Sequence, residues 1–105
     1  MLDPLKPHCF AREALQQLMQ QSPEKFMILD VRSHEEFMEC HIPGAINFPL
    51  TELIERTADL NKQTIIITTC GKGGGRSAQG ADQLKKSGFL NVHHLCGGNV
   101  EWFGK

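Results

Sequence analysis

The sequence predicts an α/β fold in three layers, with a parallel β-sheet between two layers of helices. Short apolar runs alternate along the chain with segments whose apolar residues recur at helical spacing. The two strongest runs, residues 26–29 and 64–69, show no alternation of polar and apolar positions. Because a strand that is apolar on both faces must be covered on both faces, helices are expected on each side of the sheet.

The first third of the chain predicts a helix followed by a buried strand. Apolar residues at helical spacing indicate a helix over residues 12–20, which ends at the Ser22-Pro23 pair. Residues 26–29 have the length of a strand, and the chain becomes polar directly after them at Asp30. We therefore expect a strand whose carboxyl end carries a charged side chain.

Two short helices and a brief strand are predicted in the middle third. Ser33 and Glu36 have the spacing of a capping box, in which each side chain bonds the other residue's backbone N–H, so a helix is expected to begin there. Residues 46–49 allow at most a brief strand, because Pro49 has no N–H to donate to a neighbouring strand. A further helix is expected over about residues 51–58.

The last third predicts a strand, a helix, a second strand and a short helical tail. Residues 64–69 are β-branched throughout and too few for a helix, so they are expected to form the central strand of the sheet. Helical spacing begins at Ser77 and stops at the Ser87-Gly88 pair. Residues 92–95 predict the final strand, and the aromatic tail beyond them is expected to cover the edge of the sheet.

Composition and charge exclude several classes of protein. The 105 residues, with 40% apolar and 22% charged side chains, have the composition of a globular domain. A formal net charge of −1 provides no long-range field to attract nucleic acid or an anionic membrane, so neither partner is expected. No apolar run approaches the ~20 residues that a membrane span needs, and the first residues do not form a signal-peptide core. A cytoplasmic location is therefore expected.

The four cysteines are Cys9, Cys40, Cys70 and Cys96. They are far apart in the chain, so no pair has the spacing of a zinc knuckle or of a redox CxxC motif. Because a domain with this apolar content and no secretory signal needs no disulfide framework, reduced thiols are expected. Cys96 in particular is expected to pack as a small hydrophobic side chain, although a role as a resolving thiol is open.

His93 and His94 lie close to Cys96 and raise the question of a metal site. Side chains alternate between the two faces of a strand, so only His94 and Cys96 are expected to share a face. Two ligands are fewer than a metal site requires, and no metal is expected there.

The segment from Cys70 to Ser77 contains the only compositional anomaly of the sequence, the glycine cluster from Gly71 to Gly75. Cys70 follows the predicted central strand directly, and ligands of parallel sheets bind outside the carboxyl ends of the strands. The segment leads into a helix N-terminus, where unpaired N–H groups and the helix dipole favour an anion, including a cysteine thiolate. The sequence therefore predicts a nucleophilic thiolate at Cys70.

The residues after Cys70 are expected to bind the substrate. Glycines without Cβ atoms allow successive N–H groups to converge on one point and permit positive φ where the loop curls. Lys72 and Arg76 add two positive charges, and the planar guanidinium of Arg76 suits a tetrahedral oxyanion such as thiosulfate, phosphate or arsenate. The predicted binding residues are Gly71, Lys72, Gly73, Gly74, Gly75, Arg76 and Ser77.

Two other interpretations of this loop are less consistent with its residues. A structural cysteine followed by a plain turn needs one or two glycines and no arginine placed beyond them. A nucleotide-binding P-loop would end in Gly-Lys-Ser or Gly-Lys-Thr, which does not follow these glycines.

Four segments in this order and spacing resemble the rhodanese family, from about residue 7 to residue 102. The first runs from Leu29 to Arg32 and continues with Glu35-Glu36-Phe37, and the second is His-Ile-Pro-Gly-Ala-Ile-Asn-Phe-Pro at residues 41–49. The third is the loop from Cys70 to Ser77, and the fourth is residues 95–98 together with Trp102.

The resemblance implies one rhodanese-like α/β domain over residues 1–105, with a central, mostly parallel five-stranded sheet flanked by helices. It implies a sulfurtransferase in which the Cys70 thiolate takes sulfane sulfur from thiosulfate or a persulfide donor. The resulting persulfide would pass the sulfur to a thiol, to cyanide or to a protein acceptor. No metal or organic cofactor is implied.

The spacing within the loop departs from this family pattern. Many single-domain sulfurtransferases have four residues between cysteine and arginine, whereas five separate Cys70 from Arg76. Five is the spacing of related dual-specificity phosphatases and of rhodanese-like arsenate reductases, so phosphate or arsenate chemistry is an alternative. The loop contains no carboxylate to act as a general acid, which counts against a phosphatase. A non-enzymatic sulfur carrier is a third possibility.

Charged residues near the loop are expected to support it rather than to contact the substrate. Asp30 is expected to accept hydrogen bonds from the backbone or from Arg76 and to brace the loop. Arg32 lies four residues before Glu36, so an ion pair between them is expected. His41 is expected to make a structural hydrogen bond.

Overall fold

The computed structural model describes residues 9–22, 25–71 and 75–104. Its centre is a five-stranded sheet, whose strands are β1 (Cys9–Phe10), β2 (Phe26–Asp30), β3 (Ile46–Asn47), β4 (Ile65–Thr69) and β5 (Asn91–Leu95). Their order in the sheet is β1-β5-β4-β2-β3, and every neighbouring pair is parallel. The predicted five-stranded, mostly parallel sheet is therefore confirmed, with β4 in the middle as expected.

Five helices follow these strands in the part of the chain that the structure describes. They are α1 (Arg12–Gln21), α2 (His34–Glu39), α3 (Leu53–Arg56), α4 (Gly75–Lys86) and α5 (Gly98–Trp102), and a 3₁₀ turn at Leu50–Glu52 precedes α3. The helix expected over residues 51–58 is thus split and shorter, while α4 begins before the predicted start at Ser77. Within the described ranges, no helix is both long and apolar enough to cross a membrane.

Apolar side chains are buried on both faces of the sheet. Because side chains alternate along each strand, Leu29 and Ile66 face one layer, whereas Ile28 and Ile67 face the other. The first face packs against α3 and α4, through Leu53, Ala81 and Leu84. The second packs against α1 and α5, through Leu15 and Trp102. This burial confirms the three-layer α/β prediction.

A disulfide bond joins Cys9 to Cys96, so the expectation of reduced thiols is wrong for this pair, as is that of Cys96 as a packed hydrophobic side chain. The sequence pattern did not indicate β1, which pairs Cys9 with His94 and Phe10 with Leu95. That register brings the Cα atoms of Cys9 and Cys96 to 4.8 Å, within the range that a disulfide requires. Cys40 and Cys70 have free thiols.

Candidate functional site

Cys70 lies at the carboxyl edge of the sheet, directly after β4. Its side chain is buried in the same apolar cluster as Leu29 and Ile66, with 5% of the residue exposed. The thiol lies within hydrogen-bonding distance of the Ser77 hydroxyl of α4, with 3.4 Å between Sγ and Oγ. Thr68 fixes that turn of α4, because its hydroxyl donates to the Ser77 carbonyl at 2.8 Å. The structure thus brings together Cys70 and Ser77.

The loop glycines that the structure describes do not need glycine's conformational freedom. Neither Gly71 nor Gly75 has positive φ, and a Cβ atom built on either would meet no atom of the described residues within 4 Å beyond its chain neighbours. Positive φ therefore does not account for glycine at these two positions. Lys72, Gly73 and Gly74 lie outside the described residues, so the predicted convergence of N–H groups stays a prediction.

Arg76 binds a carboxylate of the protein itself. Its two terminal nitrogens contact the two carboxylate oxygens of Glu36, at 2.8 Å and 3.1 Å. Both side chains are partly exposed, at 44% for Arg76 and 39% for Glu36. The predicted pair between Arg32 and Glu36 is wrong, since Glu36 pairs instead with Arg76 across the two helices.

Glu36 also forms the predicted capping box with Ser33. Its carboxylate accepts from the Ser33 backbone N–H at 3.2 Å, and the Ser33 hydroxyl accepts from the Glu36 N–H at 3.2 Å. Chiefly through the bonds from Arg76, and then through the Ser33 N–H, the pKa of Glu36 is lowered to about 2. A carboxyl with a lowered pKa is ionised above it, so the pair with Arg76 is lost only as the pH falls toward that value.

We expect Glu36→Gln to tighten the binding of an oxyanion at Arg76. Glutamine retains the capping box but loses the charge that neutralises Arg76. The dissociation constant of thiosulfate, used here as a tetrahedral oxyanion, is expected to fall by about threefold to tenfold, the effect of releasing one partly exposed cation. Isothermal titration calorimetry measures it.

Glu35→Gln is the matched control, because it removes the same charge from an exposed position on the same helix. Equal changes of the dissociation constant in the two variants would attribute the effect to net charge and not to Arg76.

Asp30 and Arg32 form a buried ion pair behind the loop. Asp30 is fully buried, and its carboxylate accepts from the Arg32 backbone N–H at 3.0 Å and from Arg32 Nη2 at 2.8 Å. Hydrogen bonding to Asp30 is the largest reason that the pKa of Arg32 is raised. The same Nη2 donates to the Cys40 carbonyl. Asp30 therefore accepts from the backbone as predicted, but its guanidinium partner is Arg32 and not Arg76.

Asn99 is a supporting residue that the sequence analysis missed. It is 5% exposed, and its backbone N–H donates to the Cys70 carbonyl at 2.8 Å. Its side-chain oxygen accepts from the Thr69 hydroxyl at 2.6 Å, and its amide nitrogen donates to Asp30 at 3.3 Å. Asn99 thus links the buried ion pair to the backbone of Cys70. The only sequence signal for it was its place directly after the Gly97-Gly98 pair.

An open cavity of about 330 Å³ lies beside the start of the loop. Its walls are mostly apolar, and Val100 and Phe103 of the α5 region are exposed at 48% and 40%. The residues that line it are Arg32, Cys40, Gly71, Asn99, Val100 and Phe103. Asp30 neutralises the charge of Arg32, so the described walls of this cavity favour a ligand with a neutral or apolar group.

The histidines contribute no metal site in the described part of the chain. His41 donates from Nδ1 to the Phe37 carbonyl at 2.9 Å, so the predicted structural hydrogen bond is confirmed. Burial is the largest reason that the pKa values of His93 and His94 are lowered. Among the described residues, no three His, Cys, Asp or Glu side chains are grouped so as to hold a metal ion.

The chain is similar to known proteins over most of its length. The family model of the rhodanese-like domain matches residues 11–105. The chain is 40% identical over 84 residues to the putative sulfur carrier protein YrkF of Bacillus subtilis, and the match covers 80% of this chain and 45% of YrkF. It is 28% identical over 79 residues to a sulfurtransferase of Allochromatium vinosum, covering 75% of this chain and 73% of that protein.

Two solved structures share the fold. The rhodanese-like domain of a protein from Anabaena has a TM-score of 0.82 and 27% identity, over 97% of this chain and 74% of that one. A thiosulfate sulfurtransferase of Pseudomonas aeruginosa has a TM-score of 0.83 and 33% identity, over 93% of this chain and 19% of that one. The chain thus spans less than half the length of YrkF and about a fifth of the Pseudomonas enzyme.

Proposed function

This chain belongs to the rhodanese-like domain family, and from that premise we propose that it transfers sulfane sulfur through a persulfide on Cys70. The observation that carries the proposal is the position of a free thiol at the carboxyl end of the central strand, 3.4 Å from the Ser77 hydroxyl. The relatives named as a sulfur carrier and as a sulfurtransferase support the same chemistry. We further propose that residues 1–105 act as one domain in the cytoplasm.

The proposed reaction has two displacements at sulfur. The Cys70 thiolate attacks the sulfane sulfur of thiosulfate, an S–S bond forms, and the donor's own S–S bond breaks with its electron pair leaving on sulfite. An acceptor thiolate then attacks the outer sulfur of the persulfide, which returns Cys70 to the thiolate and produces an acceptor persulfide. With cyanide as the acceptor, the product is thiocyanate.

The surroundings of Cys70 support the negative charge that this reaction places on sulfur. The Cys70 thiol donates to the Ser77 hydroxyl, which places a polar group beside the sulfur, and Cys70 lies a few residues before the N-terminus of α4, whose dipole favours an anion. The apolar walls at Val100 and Phe103 are proposed to receive the carbon portion of an organic thiol. These walls therefore favour an organic thiol as the sulfur acceptor over an oxyanion.

Phosphate or arsenate chemistry is a second candidate, because five residues separate Cys70 from Arg76. The absence of a carboxylate from residues 71–75 weighs against phosphoryl transfer, because the loop offers no general acid to protonate the leaving oxygen. Turnover of an aryl phosphate or of arsenate that is lost in Cys70→Ser, without sulfur transfer, would favour this candidate.

Intact-protein mass spectrometry tests the proposal directly. Incubation with thiosulfate is expected to add about 32 Da, one sulfur atom, in a covalent intermediate at Cys70. Cys40 and Cys70 are the two free cysteines. Cys40→Ser leaves Cys70 in place and is expected to keep the adduct, whereas Cys70→Ser is expected to lose it. An unmodified wild-type protein, or an adduct that persists in Cys70→Ser, would refute the proposal.

Turnover separates an enzyme from a sulfur carrier. An enzyme is expected to pass the sulfur repeatedly to cyanide or to a small thiol. A carrier is expected to form the same adduct but to turn over slowly until its protein acceptor is added.

A further inference from the structure

The Cys9–Cys96 disulfide lies next to the segment that holds the backbone of the Cys70 loop. We propose that this cysteine pair is a redox site. Its oxidation restrains residues 96–101, and its reduction weakens the hydrogen bonds from those residues to Cys70 and Gly71. The effect on the backbone is independent of the reaction that the loop carries out. The effect on turnover rests on the proposed function.

The path from the disulfide to the loop is short. Asn99 and Val100 follow Cys96 by three and four residues, and their N–H groups donate to the carbonyls of Cys70 and Gly71, at 2.8 Å and 2.9 Å. These bonds join the start of α5 to the carboxyl edge of β4. Anything that moves Cys96 therefore acts on the backbone of the loop.

The turn between Cys96 and Asn99 is tight. Gly97 and Gly98 have φ values of 69° and 59°, in the left-handed region that favours glycine. A Cβ atom built on Gly97 would lie 2.4 Å from the Cβ of Glu101, so the turn packs closely on the helix that follows. A displacement of Cys96 is therefore expected to move Asn99 as well, because the turn between them is closely packed.

The N-terminal segment is attached to this part of the chain by β1, by Arg12 and by the disulfide. β1 is two residues long, and the Cys96 N–H donates to the Phe10 carbonyl at 2.9 Å. Arg12 donates to the Glu101 carbonyl at 3.0 Å, on the exposed surface. Phe10 packs against the core cluster of Leu15 and Leu95, and the disulfide is the covalent part of this attachment, at its exposed end.

The bond is open to thiols from solvent, because Cys9 is exposed and Cys96 is partly exposed. A small thiolate would attack the sulfur of Cys9, and Cys96 would leave as a thiolate. A second thiolate would attack the mixed disulfide, releasing Cys9 and forming the small-molecule disulfide. Two thiols are thereby oxidised as one protein disulfide is reduced. Disulfides in a reducing compartment are mostly of this transient or sensing kind.

Amide hydrogen exchange followed by NMR tests the inference, with untreated protein compared to protein reduced by a phosphine. The Asn99 and Val100 amides are expected to exchange at least about tenfold faster after reduction, as expected for local opening. The amides of Ile28 and Ile67 in the central strands are expected to change by less than about twofold, because the core stays intact. Thiol titration should count two free thiols before reduction, those of Cys40 and Cys70, and four after it.

Cys9→Ser is the matched variant, since it removes the bond at the exposed end and leaves Cys96 in place. It is expected to reproduce the reduced exchange rates without phosphine and to show no further change when phosphine is added. Turnover with thiosulfate and cyanide is expected to fall about threefold or more in Cys9→Ser, because the reacting group is held less firmly.

Three results would overturn the inference. They are four titratable thiols after incubation with an oxidised small-molecule disulfide, equal exchange at Asn99 and Val100 in both states, and faster exchange at Ile28 and Ile67 as well. If the exchange rates change as expected but no sulfur is transferred in either state, the proposed function fails and the redox site stands.

Discussion

Cys70→Ser is expected to lower sulfur-transfer turnover by at least about 10³-fold, the scale on which an enzyme loses activity with its nucleophile. Serine retains the size and hydrogen bonding of the side chain near Ser77, but its hydroxyl is a poor nucleophile at neutral pH and cannot form a persulfide. Release of thiocyanate from thiosulfate and cyanide, followed spectroscopically, measures the loss.

Cys40→Ser is the comparison for this variant, because Cys40 is the other free cysteine of the described chain. It lines the cavity beside Gly71, so a change in KM for a thiol acceptor is compatible with its position. Its loss of turnover is expected to be about tenfold or less, because persulfide formation does not use it. Turnover in Cys70→Ser within tenfold of wild type would assign the chemistry to another residue.

Asp30→Ala is expected to destabilise the fold by about 3–5 kcal/mol, the cost of leaving one partner of a buried ion pair unpaired. The variant removes the carboxylate that accepts from the Arg32 guanidinium and from Asn99, and Asp30 is fully buried. Since a domain of this size is typically stable by only about 5–15 kcal/mol, this is a large part of the total. Urea denaturation followed by circular dichroism measures the free energy of unfolding.

Asp82→Ala serves as the control, because Asp82 pairs with Lys86 on the surface at 3.1 Å, with both side chains more than half exposed. Its expected cost is about 1 kcal/mol or less. Equal losses in the two variants would show that burial of the Asp30 pair contributes nothing to stability.

Several elements could be predicted because their causes are local in the chain. The capping box of Ser33 and Glu36 depends on residues three positions apart, and both of its hydrogen bonds form. The buried β-branched run of residues 65–69 is the central strand, because only burial on both faces suits such a run. The place of Cys70 directly after that strand followed from the same pattern.

The contacts that the sequence analysis missed or misassigned join residues far apart in the chain. Arg76 binds Glu36, which precedes it by 40 residues, and Asn99 binds Asp30, at a separation of 69. Local spacing favoured Arg32 as the partner of Glu36, because residues four apart face each other on a helix. Arg32 precedes α2, however, and its guanidinium turns back to the fully buried Asp30, where a charge without a partner would be costly.

Apolar patterning and helix capping act between near neighbours, so the α/β class, the central strand and the cysteine at its carboxyl end could be predicted from the amino-acid order. Long-range packing determines which charges neutralise one another, that Asn99 binds the Cys70 backbone, and that Cys9 and Cys96 form a disulfide. The two cysteines are 87 positions apart in the chain, the segment between them contains most of the sheet, and the register of β1 against β5 brings them together. That register follows from packing of the whole chain, which spacing along the sequence does not encode.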